Sequence, residues 1–150
     1  EKLTFLGIET SCDETAASVV REKGDGTAEI LSNIVSSQIN EHKEFGGVVP
    51  ELAARSHIEK IEIIVKKALK ESGINFSNID GVAATAGPGL IVCLTVGLNI
   101  GKAIAGTLNK PFLAINHFFR HHLNKYRLAY FQLMLKRIAY WALISKVVKS

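Results

Sequence analysis

Apolar and polar positions follow a regular order through the first 117 residues. Leu3 to Ile8 is an apolar run that enters a polar cluster, Glu9-Thr10-Ser11-Cys12-Asp13-Glu14-Thr15. The chain leaves that cluster as a second apolar run, Ala16 to Arg21. The pattern predicts two strands around a tight loop. Lys23-Gly24-Asp25-Gly26 is turn chemistry, and Ala28 to Val35 reads as a third strand, so the first three form an antiparallel meander. Ser36 to Val49 reads as a polar loop. Pro50 suits a helix start, and the helix runs to about Ser72. Its apolar set is Leu52, Ile58, Ile61, Ile64, Val65, Ala68 and Leu69; Arg55, Glu59, Lys60, Glu62, Lys66, Lys67 and Lys70 occupy the other face. Gly73 stands where a left-handed cap belongs. Gly81 to Thr85 is a short strand of small residues, of the kind buried on both faces. Ala86-Gly87-Pro88-Gly89-Leu90 is a turn, Ile91 to Leu108 a helix rich in small residues, and Pro111 to Ile115 a last strand. Glycines inside a helix cost about 1 kcal/mol each against alanine, and close packing by another element makes them tolerable. The order β-β-β-α-β-α-β predicts an α/β fold: one mixed sheet with helices packed on it.

Composition divides the chain. Residues 1–117 hold 11 Lys/Arg against 14 Asp/Glu, whereas residues 118–150 hold 7 Lys/Arg and no acid. The overall charge of +4 therefore conceals an acidic body and a basic end. All 12 glycines precede residue 118, and 7 of the 11 aromatics follow residue 117. The expected organisation is a domain over 1–117 and a basic, aromatic tail over 118–150. No window reaches the roughly 18 uncharged apolar residues of a membrane span, so no transmembrane segment is expected. Glu1-Lys2 leads straight into a strand, without a signal pattern. Cys12 and Cys93 make neither metal spacing nor a disulfide framework, which points to a reducing, cytoplasmic compartment.

The candidate chemistry starts in the first loop. Thr10, Ser11 and backbone amides suit a phosphate-like group, and Glu9, Asp13 and Glu14 supply carboxylates. The plainer reading is a polar hairpin loop. Cys12 has no histidine tied to it and reads as a small packing residue before it reads as a nucleophile. Gly87-Pro88-Gly89 matches no nucleotide fingerprint and reads as a tight strand-to-helix turn. His117 and His121 are four residues apart and would share a helix face, where two imidazoles can meet one metal ion. Two ligands are too few for a tight site, so taken alone they read as chance histidines in a basic helix. His42 and His57 are isolated and read as surface or boundary residues.

Several stretches in order resemble one family. Leu6-Gly7-Ile8-Glu9-Thr10-Ser11-Cys12-Asp13-Glu14-Thr15, Gly46-Gly47-Val48-Val49-Pro50-Glu51-Leu52-Ala53-Ala54-Arg55-Ser56-His57, Ala84-Thr85-Ala86-Gly87-Pro88-Gly89-Leu90, Val96-Gly97-Leu98 and Pro111 to His117 are similar to motifs of the tRNA adenosine threonylcarbamoyltransferases, formerly called O-sialoglycoprotein endopeptidases or glycoproteases. The resemblance spans about residues 3–117. It implies one lobe of the actin, sugar kinase and heat-shock chaperone ATPase-like fold, in which two similar lobes close on a nucleotide and a metal. It also implies transfer of a threonylcarbamoyl group from threonylcarbamoyl-adenylate to N6 of the adenosine next to the tRNA anticodon. On this resemblance the first loop becomes a wall of an adenylate cleft. Thr10, Ser11 and Cys12 are its substrate-binding residues, and Asp13 and Glu14 its catalytic acids. His117 and His121 fall on the two histidines of the family's H-[ML]-E-G-H metal motif, although Phe118-Phe119-Arg120 between them match it poorly. One divalent metal, iron or zinc, is the implied cofactor. The implied ligand is threonylcarbamoyl-adenylate or an ATP-like nucleotide. The implied partners are tRNA and the proteins of the threonylcarbamoylation complex, one of them a paralogue of similar fold.

The family's serine-glycine-glycine-histidine loop, its later metal-binding Asp and its asparagine-containing substrate loop have no counterpart here. The expectation is half of a cleft, inactive alone. Two readings stand for residues 118–150: a basic amphipathic helix suited to an anionic membrane or RNA, or an out-of-frame stretch that begins where the family motif breaks off. Among functions, a non-catalytic partner-binding module is the alternative to the transferase. The old peptidase reading carries little weight, since no H-E-x-x-H occurs.

Overall fold

The computed structural model describes residues 2–25 and 27–117. The tail over 118–150, with His121, lies outside the described residues, and so do the two readings of it. The elements are β1 (Thr4–Glu9), β2 (Glu14–Glu22), β3 (Ala28–Ser37), α1 (Ile39–His42), α2 (Pro50–Ser72), β4 (Gly81–Gly87), α3 (Ile91–Leu108) and β5 (Phe112–Asn116). They form one five-stranded sheet in the order β3-β2-β1-β4-β5. β1, β2 and β3 pair antiparallel, while β1, β4 and β5 run parallel. The meander and the mixed sheet expected from the pattern are both present.

Alternation along the strands sets the layers. Leu6 lies opposite Val19 and Val82, and Ile8 opposite Ala17 and Ala84. These residues share one face and meet Ile61, Ile64, Val65, Ala68 and Leu69 of α2 and Ala105 of α3 in the main core. Phe5, Val20 and Ala28 form a smaller cluster with Leu3 and Leu113.

α2 begins with Pro50 in its first turn and ends on Gly73 at φ 68°, whose N–H reaches the carbonyls of Leu69 and Lys70. Its buried stripe differs from the expected one. Leu52 and Ile58 are 40% and 64% exposed, whereas Ala53 and His57 are fully buried. The stripe runs Ala53, His57, Ile61, Ile64, Ala68, at steps of three and four. Ile58 stands one position round and lines a groove of about 350 Å³ between α2 and α3. The segment expected as a loop after β3 holds α1 and a 3₁₀ turn over Lys43–Phe45. His42, at 4% exposure, and His57 are therefore core residues, not surface or boundary ones.

α3 is long and apolar enough, by length and composition, to cross a membrane, with a mean hydropathy of 1.6. Its small residues serve close packing. A Cβ on Gly97 would stand 2.5 Å from Thr10 Oγ1, and one on Gly101 2.8 Å from the Phe112 ring. Glycine at these two places lets the helix rest on the ends of β1 and β5.

Candidate functional site

Strands β1, β4 and β5 are parallel neighbours, so their carboxyl ends open at one edge of the sheet, where ligands of such folds bind. Glu9 ends β1, Thr85 lies near the end of β4, and His117 follows β5 directly. The Thr85 hydroxyl donates to Glu9 Oε2 at 2.6 Å, and the Ser11 N–H donates to Glu9 Oε1 at 2.6 Å. His117 Nδ1 lies 3.3 Å from Glu9 Oε2 and 3.3 Å from Ser11 Oγ. Burial pushes the Glu9 carboxyl up, but the Ser11 and Thr85 hydrogen bonds and nearby His117 outweigh it and hold Glu9 below the usual carboxylate range.

The loop after Glu9 is pinned from several sides. Thr10 is buried: its hydroxyl donates to the Cys93 carbonyl at 2.8 Å and accepts from the Gly97 N–H at 3.0 Å. The Thr10 hydroxyl thus joins the loop to α3. The Leu90 N–H donates to the Ser11 carbonyl at 2.9 Å, so Gly87-Pro88-Gly89 is the tight turn expected and also braces the loop. A Cβ at Gly89 would stand 2.6 Å from that carbonyl. Cys12 is exposed rather than packed. Burial and the neighbouring Asp13 push its thiol up, which disfavours the thiolate a nucleophile needs. Cys93 is buried and pushed up to about 11. Asp13 accepts the Gln38 N–H on its carbonyl at 2.8 Å, and Glu14 opens β2 opposite Ser37.

Ser11 and His117 are therefore gathered at one point, with Glu9 and Thr85 added. Asp13 and Glu14 follow on the same loop, and Thr10 is held inward. Among the described residues no three His, Cys, Asp or Glu side chains form a metal-holding group. His117 Nδ1 does rest near a carboxylate, an arrangement also found behind histidines that ligate metals in other proteins. Sequence reading counted Glu9 among the loop's acids without singling it out. No local signal marked its meeting with Thr85, which follows from the parallel pairing of β1 with β4 up to Ile8 opposite Ala84.

A second polar cluster lies behind the loop. His57 Nε2 lies 2.8 Å from the Cys12 carbonyl, and His57 Nδ1 lies 2.7 Å from Thr15 Oγ1 and 3.2 Å from Gln38 Nε2. Gln38 Oε1 lies 3.0 Å from His42 Nε2. Sequence reading missed this cluster. The α2 stripe of Ala53, His57 and Ile61 was the signal that could have found it.

Comparison with known proteins places these features. A family model described as TsaD, tRNA N6-adenosine threonylcarbamoyltransferase, matches residues 29–131, past the end of the resemblance read from the motifs. The tRNA N6-adenosine threonylcarbamoyltransferase of Pelagibacter ubique is 62% identical over 124 residues, which is 83% of this chain and 35% of that protein. That of Caulobacter vibrioides is 53% identical over 119 residues, 79% of this chain and 32% of that protein. The chain thus spans about a third of the length of the curated relatives it matches. The structure of YeaZ from Pseudomonas aeruginosa is similar with a TM-score of 0.56 at 19% identity, over 76% of this chain and 43% of that one. That likeness shows the fold, the actin-like ATPase type.

Proposed function

The chain belongs to the tRNA N6-adenosine threonylcarbamoyltransferase family, and from that premise we propose that it supplies the N-terminal wall of an enzyme transferring a threonylcarbamoyl group from threonylcarbamoyl-adenylate to N6 of the adenosine next to the tRNA anticodon. The observation that carries the reading is the meeting of Glu9, Ser11, Thr85 and His117 at the ends of β1, β4 and β5, beside the acid-bearing loop. In the transfer, the adenosine N6 forms a bond to the carbamoyl carbon. The bond from that carbon to the adenylate phosphate oxygen breaks, AMP leaves, and N6 loses a proton. Asp13 or Glu14 accepts that proton. Ser11 and the loop amides orient the adenylate, with Cys12 at the exposed edge and Thr10 fixing the loop to α3.

His117 and His121 would hold the metal, iron or zinc. A bound divalent metal supplies polarisation of a phosphate or carbamoyl oxygen. Glu9 keeps the His117 ring in place for that role. The partners are tRNA and the proteins of the threonylcarbamoylation complex, including a paralogue of similar fold, and the compartment is the cytoplasm.

A second reading has an observation of its own. Ile58, Val92 and Ile100 line the groove between α2 and α3, and Ile58, Ile63 and Ile91 are more than half exposed. An apolar surface of this kind suits a non-catalytic partner-binding module. Threonylcarbamoyl-adenylate and unmodified tRNA, supplied to the chain alone and with the partner set, separate the two. The one-wall reading expects no modified adenosine from the chain alone, and product there would overturn it. A partner retained without adenylate binding would favour the module.

A further inference from the structure

The cluster behind the first loop has a direction. The Cys12 carbonyl only accepts, so His57 Nε2 carries the proton and its Nδ1 accepts from Thr15 and Gln38. The Val49 N–H donates to His42 Nδ1 at 3.4 Å, so His42 carries its proton on Nε2 and donates to Gln38 Oε1. One chain of donors therefore runs from Val49, before α2, through His42, Gln38 and His57 to Cys12. Every donor points towards the loop, the arrangement in which successive hydrogen bonds reinforce one another. Gln38 and His57 are fully buried and His42 is 4% exposed, so water does not compete. The two groups His57 holds, the Cys12 carbonyl and the Thr15 hydroxyl, bracket Asp13 and Glu14. The Gln38 backbone N–H holds the Asp13 carbonyl between them.

We propose that His57 is the positioning residue of this turn: with Gln38 and His42 behind it, it clamps both flanks of Asp13-Glu14 and sets where the two carboxylates stand. The significance for chemistry rests on the reading of Asp13 and Glu14 as the acids of the transfer; the clamp itself does not. A protonated His57 would aim its Nδ1–H at the Gln38 amide hydrogens and would keep only the Thr15 hydroxyl, turned to accept, as a partner there. The neutral Nε2–H form is thus built into the cluster.

The test uses the whole chain. Long-range imidazole 15N spectra are expected to show the neutral Nε2–H tautomer at both His57 and His42, and an Nδ1–H tautomer at His57 would overturn the clamp. Amide exchange of Gln38 and Leu90, which donate to Asp13 and Ser11, reports the loop from two sides. His57→Leu should speed both about tenfold, with the amides of Ile61 to Ala68 unchanged. His57→Gln keeps one donor and one acceptor and should restore most of the protection. Unchanged rates in the leucine variant, or a glutamine variant as fast as the leucine one, would each overturn the proposal. Should His57→Leu lose protection throughout α2, Thr15→Val decides. It removes one of the two bonds and should speed Gln38 exchange several-fold, and no change overturns the clamp. None of these readings depends on transfer activity, so the reading of Asp13 and Glu14 as the acids can fail and leave the clamp standing.

Discussion

The first loop lies between two polar clusters, each built round a histidine and nearly opposite in character. The outer one, Glu9 with Ser11, Thr85 and His117, stands at the strand ends. Its Glu9 and His117 side chains keep 16% exposure. Its carboxylate is held in the charged form by donors aimed at it. The inner one, His57 with Thr15, Gln38 and His42, is sealed from water, and burial pushes its His57 away from the charged form. The difference teaches a division of labour. A group that must meet a substrate or a metal keeps charge and access to solvent. A group that must hold a loop gives up both and gains definite hydrogen-bond directions. Stability should therefore lie in the inner cluster and chemistry in the outer one.

The sharpest way to break the comparison is His57→Ala. It leaves Thr15, Gln38 and the Cys12 carbonyl without their buried partner and opens a cavity under the loop, at a cost of about 3 kcal/mol. Urea unfolding of the chain measures it. A loss below about 1 kcal/mol would mean the inner cluster bears no weight.

Acid titration comes next. Burial pushes His57 down, more than the Cys12 carbonyl and the charges of Glu9 and Asp13 push it up, with Lys60 adding to the fall. The unfolded chain then takes up this proton before the folded one does. The contribution is whole above the ordinary value of 6.5 and is lost as pH falls from there through the lowered value. For one proton the slope cannot exceed about 1.4 kcal/mol per pH unit. Glu9 is lowered too, but from 4.5, so its loss comes in a separate, more acid window. Melting temperature followed through both windows should show the upper leg in the wild type and not in His57→Gln. A leg common to both proteins would assign it to another group.

Much of this architecture was legible beforehand. The helix over Ile91–Leu108 and the cap at Gly73 were read from spacing and residue type alone, and the strands fall within two residues of their expected ends. Those features depend on local chemistry. Asp13, Glu14, Ser11 and His117 were each singled out by motif order, but that Ser11 and His117 meet came only from the structure. Glu9 and Thr85 escaped selection because their meeting is a matter of strand register between residues 76 apart in sequence. His57 was misplaced for a different reason. A histidine on a charged helix looks like a solvent residue until Gln38 and Thr15 from other strands and turns supply its partners. Ile58 attracted the apolar face that Ala53 and His57 occupy, because hydrophobicity outweighed phase in that reading.

A smaller effect belongs to Thr85→Val, which keeps the shape and removes the donor on Glu9 Oε2. The loss should be about 1 kcal/mol, the usual worth of one such bond. The carboxyl of Glu9 should also titrate higher, since one of the donors holding it charged is gone. Carboxyl 13C shifts of Glu9 against pH read this directly. An unmoved titration would show that the groups other than Thr85, Ser11 and His117 among them, suffice to keep Glu9 ionised.

The smallest effect on stability should come from His117→Ala. The ring is partly exposed, and its pairing with Glu9 at 3.3 Å counts as an ion pair only when the imidazole is protonated. Near neutral pH such a contact is worth below about 1 kcal/mol. Glu9 keeps its bonds from Thr85 and Ser11 when the ring is removed, so no carboxylate is stranded without donors. The same substitution deletes one of the two histidines proposed to hold a metal, so iron or zinc uptake should fall although the unfolding midpoint hardly moves. That pair of readings separates the clusters: a histidine that positions a loop costs stability when removed, and one that serves a ligand costs binding. Equal losses of stability from His57→Ala and His117→Ala would erase the distinction. A large loss at His117 alone would reverse it and make the outer cluster the one that holds the loop.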